Sequence, residues 1–402
     1  MNKLFCICLL LLLPALPCRS AVLVNSVSSL VNAVNAANGG GDKTILIADG
    51  YYPLNGSYLR ITADGVSVAS ASGKRNLVTL DGNYQTTEIF QIVASNVTIA
   101  NLTLQEAFYH PIHVMAAADH DVINTVIRNV HIIDPGQQAI KINQDGAQNH
   151  SANSGLIEGC LIELTDSGRQ QVWDINSSCY TGGIDAHHAA SWTIRDNEIR
   201  GFWCADGLSE HGVHFWSFSS DTLVERNRII DCDRGIGFGL GDSGHSGGII
   251  RNNMLYHGPD HGQSDVGIGL ESAPGAQVYN NTIYHEHSYP NAIEYRFAAT
   301  TGVTISNNLS NRAITSRQDA SATLAANVTT ALPTWFRNLS AGDLHLSSPI
   351  AGIIDQGIFI NGLTDDLDKE QRPQGTGIDI GADEYPLSSK TGISLSWIGL
   401  LL

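Results

Sequence analysis

Lys141, Asp185, His187 and His214 are the side chains of this sequence whose types and spacing could do chemistry. A cation, a carboxylate and two imidazoles in one place can hold an anionic group and move a proton near neutral pH. Each lies in a short segment that aligns on a small residue followed by Ile or Val. The segments are Pro111-Ile112-His113-Val114-Met115, Ala139-Ile140-Lys141-Ile142-Asn143, Gly183-Ile184-Asp185-Ala186-His187, Gly212-Val213-His214-Phe215-Trp216, Gly235-Ile236-Gly237-Phe238-Gly239, Gly267-Ile268-Gly269-Leu270-Glu271 and Ala292-Ile293-Glu294-Tyr295-Arg296. Read as strands, they send Ile184 and Ala186 inward and Asp185 and His187 outward. Stacked rungs sit about 4.8 Å apart and alternate residues about 6.5 to 7 Å apart. One outward column then reads His113, Lys141, Asp185, His214, Gly237, Gly269, Glu294. Its neighbour reads Met115, Asn143, His187, Trp216, Gly239, Glu271, Arg296. Asp185 is expected between Lys141 and His214, each favouring the other's charged form. Trp216 is expected over His187, where an indole face can stack on a sugar ring. Gly237, Gly239 and Gly269 are expected to bare the backbone to a chain-like ligand, with Glu271 and Arg296 as further contacts.

What must position these columns is a repeat. Short apolar runs end at Asn101, Asn129, Gly159, Asn197, Asn227, Asn253, Asn281 and Asn308, at spacings of 28, 30, 38, 30, 26, 28 and 27 residues. Each unit is too short for a strand plus a long helix, but it fits one coil of short strands and turns. A β-sandwich requires no such period. Asn can bond to its counterpart in the next coil while tolerating a left-handed turn, and Val and Ile suit alternate inward positions. The expected fold is all-β: a right-handed parallel β-helix solenoid with an N-terminal capping helix at residues 29–37, stopped by Gly39-Gly40-Gly41. Residues 44–47 read as the first strand, with Asp49-Gly50 as its turn.

Residues 1–20 read as a cleavable secretory signal, with Lys3 before an apolar run too short to span a membrane. Cys18 raises a lipid-modification alternative, which Pro17 disfavours. The further divisions are 21–95, N-terminal cap and first coils; 96–311, repeat core; 312–386, C-terminal capping segment; and 387–402, tail. A secreted, cell-surface or periplasmic monomer is expected. With 39 acidic and 22 basic residues the formal charge is −17, which disfavours nucleic acid and anionic membranes as partners. Membrane insertion is not expected, and an acidic polysaccharide would need a local basic patch. Cys160, Cys179, Cys204 and Cys232 have no zinc-like spacing, and pairing among them suits an oxidising compartment.

Gly183-Ile184-Asp185-Ala186-His187-His188, followed by Thr193-Ile194-Arg195-Asp196-Asn197, resembles the catalytic coil of mannuronan carbon-5 epimerases and related pectate-lyase-like β-helix polysaccharide lyases. Asp185 and His187 match the Asp and His of the Asp-Pro-His segment of the epimerases. Ala186 replaces its Pro, Lys141 stands where that family has a catalytic Lys, and Gly182 stands where it has a Tyr. The segment that includes Arg372-Pro373 and residues 377–385 resembles the C-terminal region of surface β-helix proteins that carry a sortable anchor.

The resemblance implies a polysaccharide lyase that cleaves a uronate-containing polymer by β-elimination. Lys141 and Asn143 would meet the uronate carboxylate, His187 would be the base and Asp185 its electrostatic partner. His214 or Tyr180 would protonate the leaving oxygen. The alternatives are a non-catalytic glycan-binding surface protein, a carbon-5 epimerase, or a glycoside hydrolase using Asp185 with Glu210 or Glu271 with Glu294. No metal site is assigned from the sequence. Calcium is the candidate bridging ion, with Glu271, Glu294 and Asn253 as oxygen donors.

Overall fold

A computed structural model describes residues 21–259 and 263–386, so the signal segment and the tail lie outside the described residues. Three long sheets of 12, 10 and 10 strands run along the molecule, and consecutive coils pair in parallel within each. This is a right-handed parallel β-helix. One coil runs from Val126–Arg128 in the first sheet through His131–Ile133 in the second to Gln138–Asn143 in the third, and the next coil repeats the path. Inward Ile127, Ile132, Ile140 and Ile142 are fully buried and stack on Ile157, Ile162, Ile184 and Ala186. Of the described residues, no helix is long and apolar enough to cross a membrane.

The helix spans Val27–Asn38. The Ser26 hydroxyl caps it by accepting from the Ser29 N–H, and it buries Leu30, Ala33, Val34 and Ala37. The 44–47 segment is a strand, but not the first. Ala21–Val24 pairs with Thr44–Ile47 ahead of it, and Gly50 opens the next strand instead of closing a turn. A four-residue run directly after the signal segment carried no turn signal to mark it as a strand.

The asparagines resolve into two adjacent columns, not one. Asn129, Gly159, Asp196, Arg226, Asn252, Asn280 and Asn307 occupy the left-handed turn position. The next residue in each later coil forms the ladder, in which Asn197, Asn227, Asn253, Asn281 and Asn308 each donate through Nδ2 to Oδ1 of the next at 2.9–3.0 Å, ending on Asn327. One residue thus takes the strained backbone while its neighbour, buried in the corner, pairs its amide between coils. Aligning Asn129 with Asn197 had merged the two roles, because Asn serves both.

Strands continue through Ala313–Arg317 and Ala322–Ala325, past the expected end of the repeat at 311. The chain beyond does not cap the end of the solenoid. It returns along the outer face of the second sheet, where Phe336, Leu344, Leu346, Ile353 and Leu367 join Met254, Tyr256, Tyr284 and Leu309 in a second apolar cluster. Those outward apolar residues require a cover, and the turn column anchors it. Asn252 donates to Asp365 O, Asn280 to Asp379 O and Asn307 to Ile358 O, each at 2.9 Å. Arg372 and Glu384, both fully buried, pair at 2.6 Å. One disulfide forms, Cys179–Cys204, whereas Cys160 and Cys232 are buried free thiols.

Asn253→Ala removes a rung from the middle of the ladder and leaves its neighbours unpaired, so it should cost roughly 2–4 kcal/mol in chemical denaturation. Asn124→Gly, at an exposed turn position, should cost within about 0.5 kcal/mol. Equal losses would remove the special role of the buried ladder.

In the returning segment His345 sits between Asp343 and Asp368, the latter at 2.8 Å. Burial alone would lower its pKa, but hydrogen bonds to Asp368 and Asp343 prevail and raise it to about 9. A raised folded-state pKa makes this contribution to stability complete below about pH 6.5 and lost as pH rises through about 9. Wild type should therefore lose more melting temperature between pH 6.5 and 9.5 than His345→Gln. Parallel pH profiles would contradict this.

Candidate active site

The third sheet brings the expected columns together in register. His113 faces Lys141, Lys141 faces Asp185, Asp185 faces His214 and His214 faces Gly237, while Met115 faces Asn143, His187 faces Trp216 and Glu271 faces Arg296. The positioning force is the inward series Ile112, Ile140, Ile184, Val213 and Ile236, all fully buried. A one-residue slip would turn these outward and bury the charges.

Asp185 is the centre of the cluster. Its Oδ2 pairs with Lys141 Nζ and lies 3.1 Å from His187 Nε2. Its Oδ1 accepts the Trp216 indole N–H at 2.8 Å and lies 3.5 Å from His214 Nδ1. Lys141 Nζ is also 3.1 Å from His187 Nε2. Burial by itself would raise the Asp185 carboxyl, but the His187 hydrogen bond and the Lys141 charge outweigh it and hold the group well below the usual carboxylate range. Lys141 and Asp185 are 6% and 5% exposed, whereas the His187 side chain is 27% exposed. The imidazole is therefore the part of this trio that opens to solvent.

His214 does not suit the role of proton donor expected of it. It is 1% exposed, burial lowers its pKa to about 4, and Trp216 stacks on it with ring centroids 5.5 Å apart. That contact takes one face of the indole, and Trp216 meets His187 edge-on at 4.5 Å rather than covering it. Tyr180 is exposed on the loop before the Gly182–His187 strand, and no hydrogen bond or ring contact joins it to Asp185. Asn143 approaches His113 at 3.3 Å, with its Oδ1 buried and unpartnered.

Beyond the cluster the third sheet carries a polar depression of about 140 Å³, lined by His211, Arg234, Asp265, Gly269, Glu271, Glu294 and Arg296. Glu271 pairs with Arg296 at 2.8 Å, Glu294 with Arg317 at 2.9 Å and Arg234 with Asp265 at 3.3 Å. The smooth glycine path is only partly realised. The His211 ring lies over Gly237, and Gly239 has φ 80° with no room for a Cβ against the Glu271 carbonyl. Glu271, Glu294 and Asn253 do not form a calcium site, because Asn253 is buried in the ladder at a corner of the coil and both glutamates are held by arginines.

Sequence reading missed Glu88, which pairs with His113 at 2.7 Å, and the pair His211 and Arg234. The alternation of Glu88–Ile92 marks one more rung before the seven aligned. Glu210 and His211 lie just ahead of the segment whose reading began at Gly212.

Residues 182–324 match the family described as right handed beta helix region. No curated protein matches the chain. Among solved structures, pectate lyase Pel9A superposes with a TM-score of 0.60 at 16% identity, covering 87% of this chain and 90% of that one. Alginate lyase from Paenibacillus sp. str. FPU-7 gives a TM-score of 0.52 at 14% identity, covering 76% and 97%. At these identities the likeness is one of fold.

Asp185→Leu leaves the Lys141 ammonium buried without its partner and should cost about 3–5 kcal/mol, whereas combining it with Lys141→Met, itself measured alone, should recover much of that loss. Denaturation of the single and double variants measures the coupling. Strictly additive losses would show that the pair does not act as a unit.

Proposed function

We propose that this protein is an exported polysaccharide lyase that cleaves a uronate-containing polymer by β-elimination. The observation that carries the reading is the Lys141–Asp185–His187 cluster, with the imidazole open to an elongated sheet face and the two charges paired beneath it. The pectate and alginate activities named for two proteins of similar fold support a uronate polymer as substrate. The Cys179–Cys204 bond suits an oxidising compartment.

In this reading the His187 Nε2–H donates a hydrogen bond to the ionised Asp185, which leaves the Nδ1 lone pair free to take the proton at carbon 5. The released electron pair forms the double bond between carbons 4 and 5 as the bond from carbon 4 to the glycosidic oxygen breaks, and that oxygen takes up a proton. Tyr180 is assigned that donation, since His214 is enclosed. Asn143 faces the uronate carboxylate, Lys141 adds its positive charge from beneath His187, and Trp216, Glu271 and Arg296 line the path of the polymer. A hydrolase is less well supported. Glu271 and Glu294 are tied to arginines, and Asp185 and Glu210 both approach the same His214 nitrogen rather than flanking a scissile bond.

Wild type should produce the ultraviolet absorbance of an unsaturated uronate on one of alginate, pectate or a glycosaminoglycan, assayed with calcium and with chelator. His187→Ala should lower that rate by about 10²- to 10⁴-fold. New reducing ends without absorbance would replace the proposal with hydrolysis, and deuterium uptake at carbon 5 without cleavage would replace it with epimerisation. Binding with neither would leave a glycan-binding protein.

A further inference from the structure

Next to the cluster, Glu210, His211 and His214 each bring one donor atom to within 4.8 Å of the other two. His211 and His214 are 7% and 1% exposed, and the Nδ1 atoms of both are buried without a hydrogen-bond partner. Unpaired nitrogens at such depth are costly and uncommon.

The His214 tautomer sharpens the point. Its Nε2 lies 3.2 Å from the Gly239 carbonyl. A carbonyl only accepts, so Nε2 carries the hydrogen and Nδ1 of the neutral ring presents a lone pair. That lone pair looks toward Glu210 Oε2 at 3.9 Å and Asp185 Oδ1 at 3.5 Å. Asp185 Oδ1 is already served by the Trp216 N–H, but His214 Nδ1 and Glu210 Oε2 face each other as acceptors, and 3.9 Å is too long for a proton on Glu210 to close the gap. An ion about 2.0–2.2 Å from each donor spans such a distance.

We propose that Glu210, His211 and His214 form a binding site for a divalent transition metal ion of the zinc type. Two imidazoles and one carboxylate suit that class and not calcium, which takes oxygen donors. The Nε2–H to Gly239 contact is the kind of outer bond that fixes a metal-binding imidazole in its tautomer. Three protein donors leave one position of a tetrahedral site open, and His211 also lines the polar depression. Arg234, Arg296 and Arg317 along this face each already have a carboxylate partner. A bound dication would therefore add a positive charge that an anionic sugar could use. The site itself does not depend on the lyase reading.

Full-length protein stripped with chelator should bind close to one equivalent of Zn2+ by calorimetry and elemental analysis, with a higher melting temperature. Glu210→Gln and His211→Ala should each weaken binding by at least about 10- to 100-fold, while His345→Ala, in the only other His–carboxylate cluster of this kind among the described residues, should not. Because the substitutions could disturb folding, wild-type protein loaded with Co2+ gives an independent measure: visible bands of a low-coordinate site are expected. Zinc uptake that the double variant Glu210→Gln with His211→Ala retains, Ca2+ binding as tight as Zn2+, or only the spectrum of hydrated Co2+ would each overturn the proposal.

Discussion

Hydrogen bonding between successive coils is the constraint on which the rest of this structure depends. Parallel strands at the spacing of a β-sheet force each residue to sit over its counterpart one coil away, so side chains are organised in columns. In the corner that column is an asparagine ladder, where every amide pairs with the next and no buried polar atom is left to water. On the third sheet the same stacking lines up Lys141, Asp185 and His214, residues 44 and 29 positions apart in sequence. Ladder and site have one cause.

Columns of ionisable groups carry an electrostatic cost, and the sheet meets it by setting Lys141 against Asp185 and keeping the buried imidazoles neutral. Asp185 remains ionised at depth because Lys141, His187 and the Trp216 N–H all meet it. His214 and His211 remain neutral because little compensates their burial. The outcome is a division of labour within three adjacent coils: a charged pair beneath an accessible imidazole, and beside it a pocket of lone pairs facing one another.

The returning segment shows how a solenoid can spend its outer surface. The second sheet turns Met254, Tyr256 and Tyr284 outward, and residues 331–382 supply the apolar cover. The third sheet carries polar residues in the same relative position, and His187 among them stays open to solvent. Asymmetry between the two outer faces leaves one sheet covered and the other carrying the polar cluster.

The repeat length, the inward Ile and Val positions and the outward columns were legible in the sequence, because period two and a period near 28 are local properties that each coil repeats. His113, Lys141, Asp185 and His214 could thus be placed in one line from spacing alone. Depth was not legible. Outward residues on a strand are exposed only if nothing lies over them, and whether His214 meets solvent depends on Trp216 and His211, whose rings close above it. The split of the asparagines into turn and ladder positions was hidden because one residue type satisfies both. The course of residues 331–385 was hidden because it follows from apolar residues on a distant sheet. Sequence by itself determined the coil, the register of the third sheet and the chemical content of its face. Tertiary structure decided which of those groups are buried, paired or open, because burial and pairing belong to the neighbours that packing brings together and not to the residue's own place in the repeat.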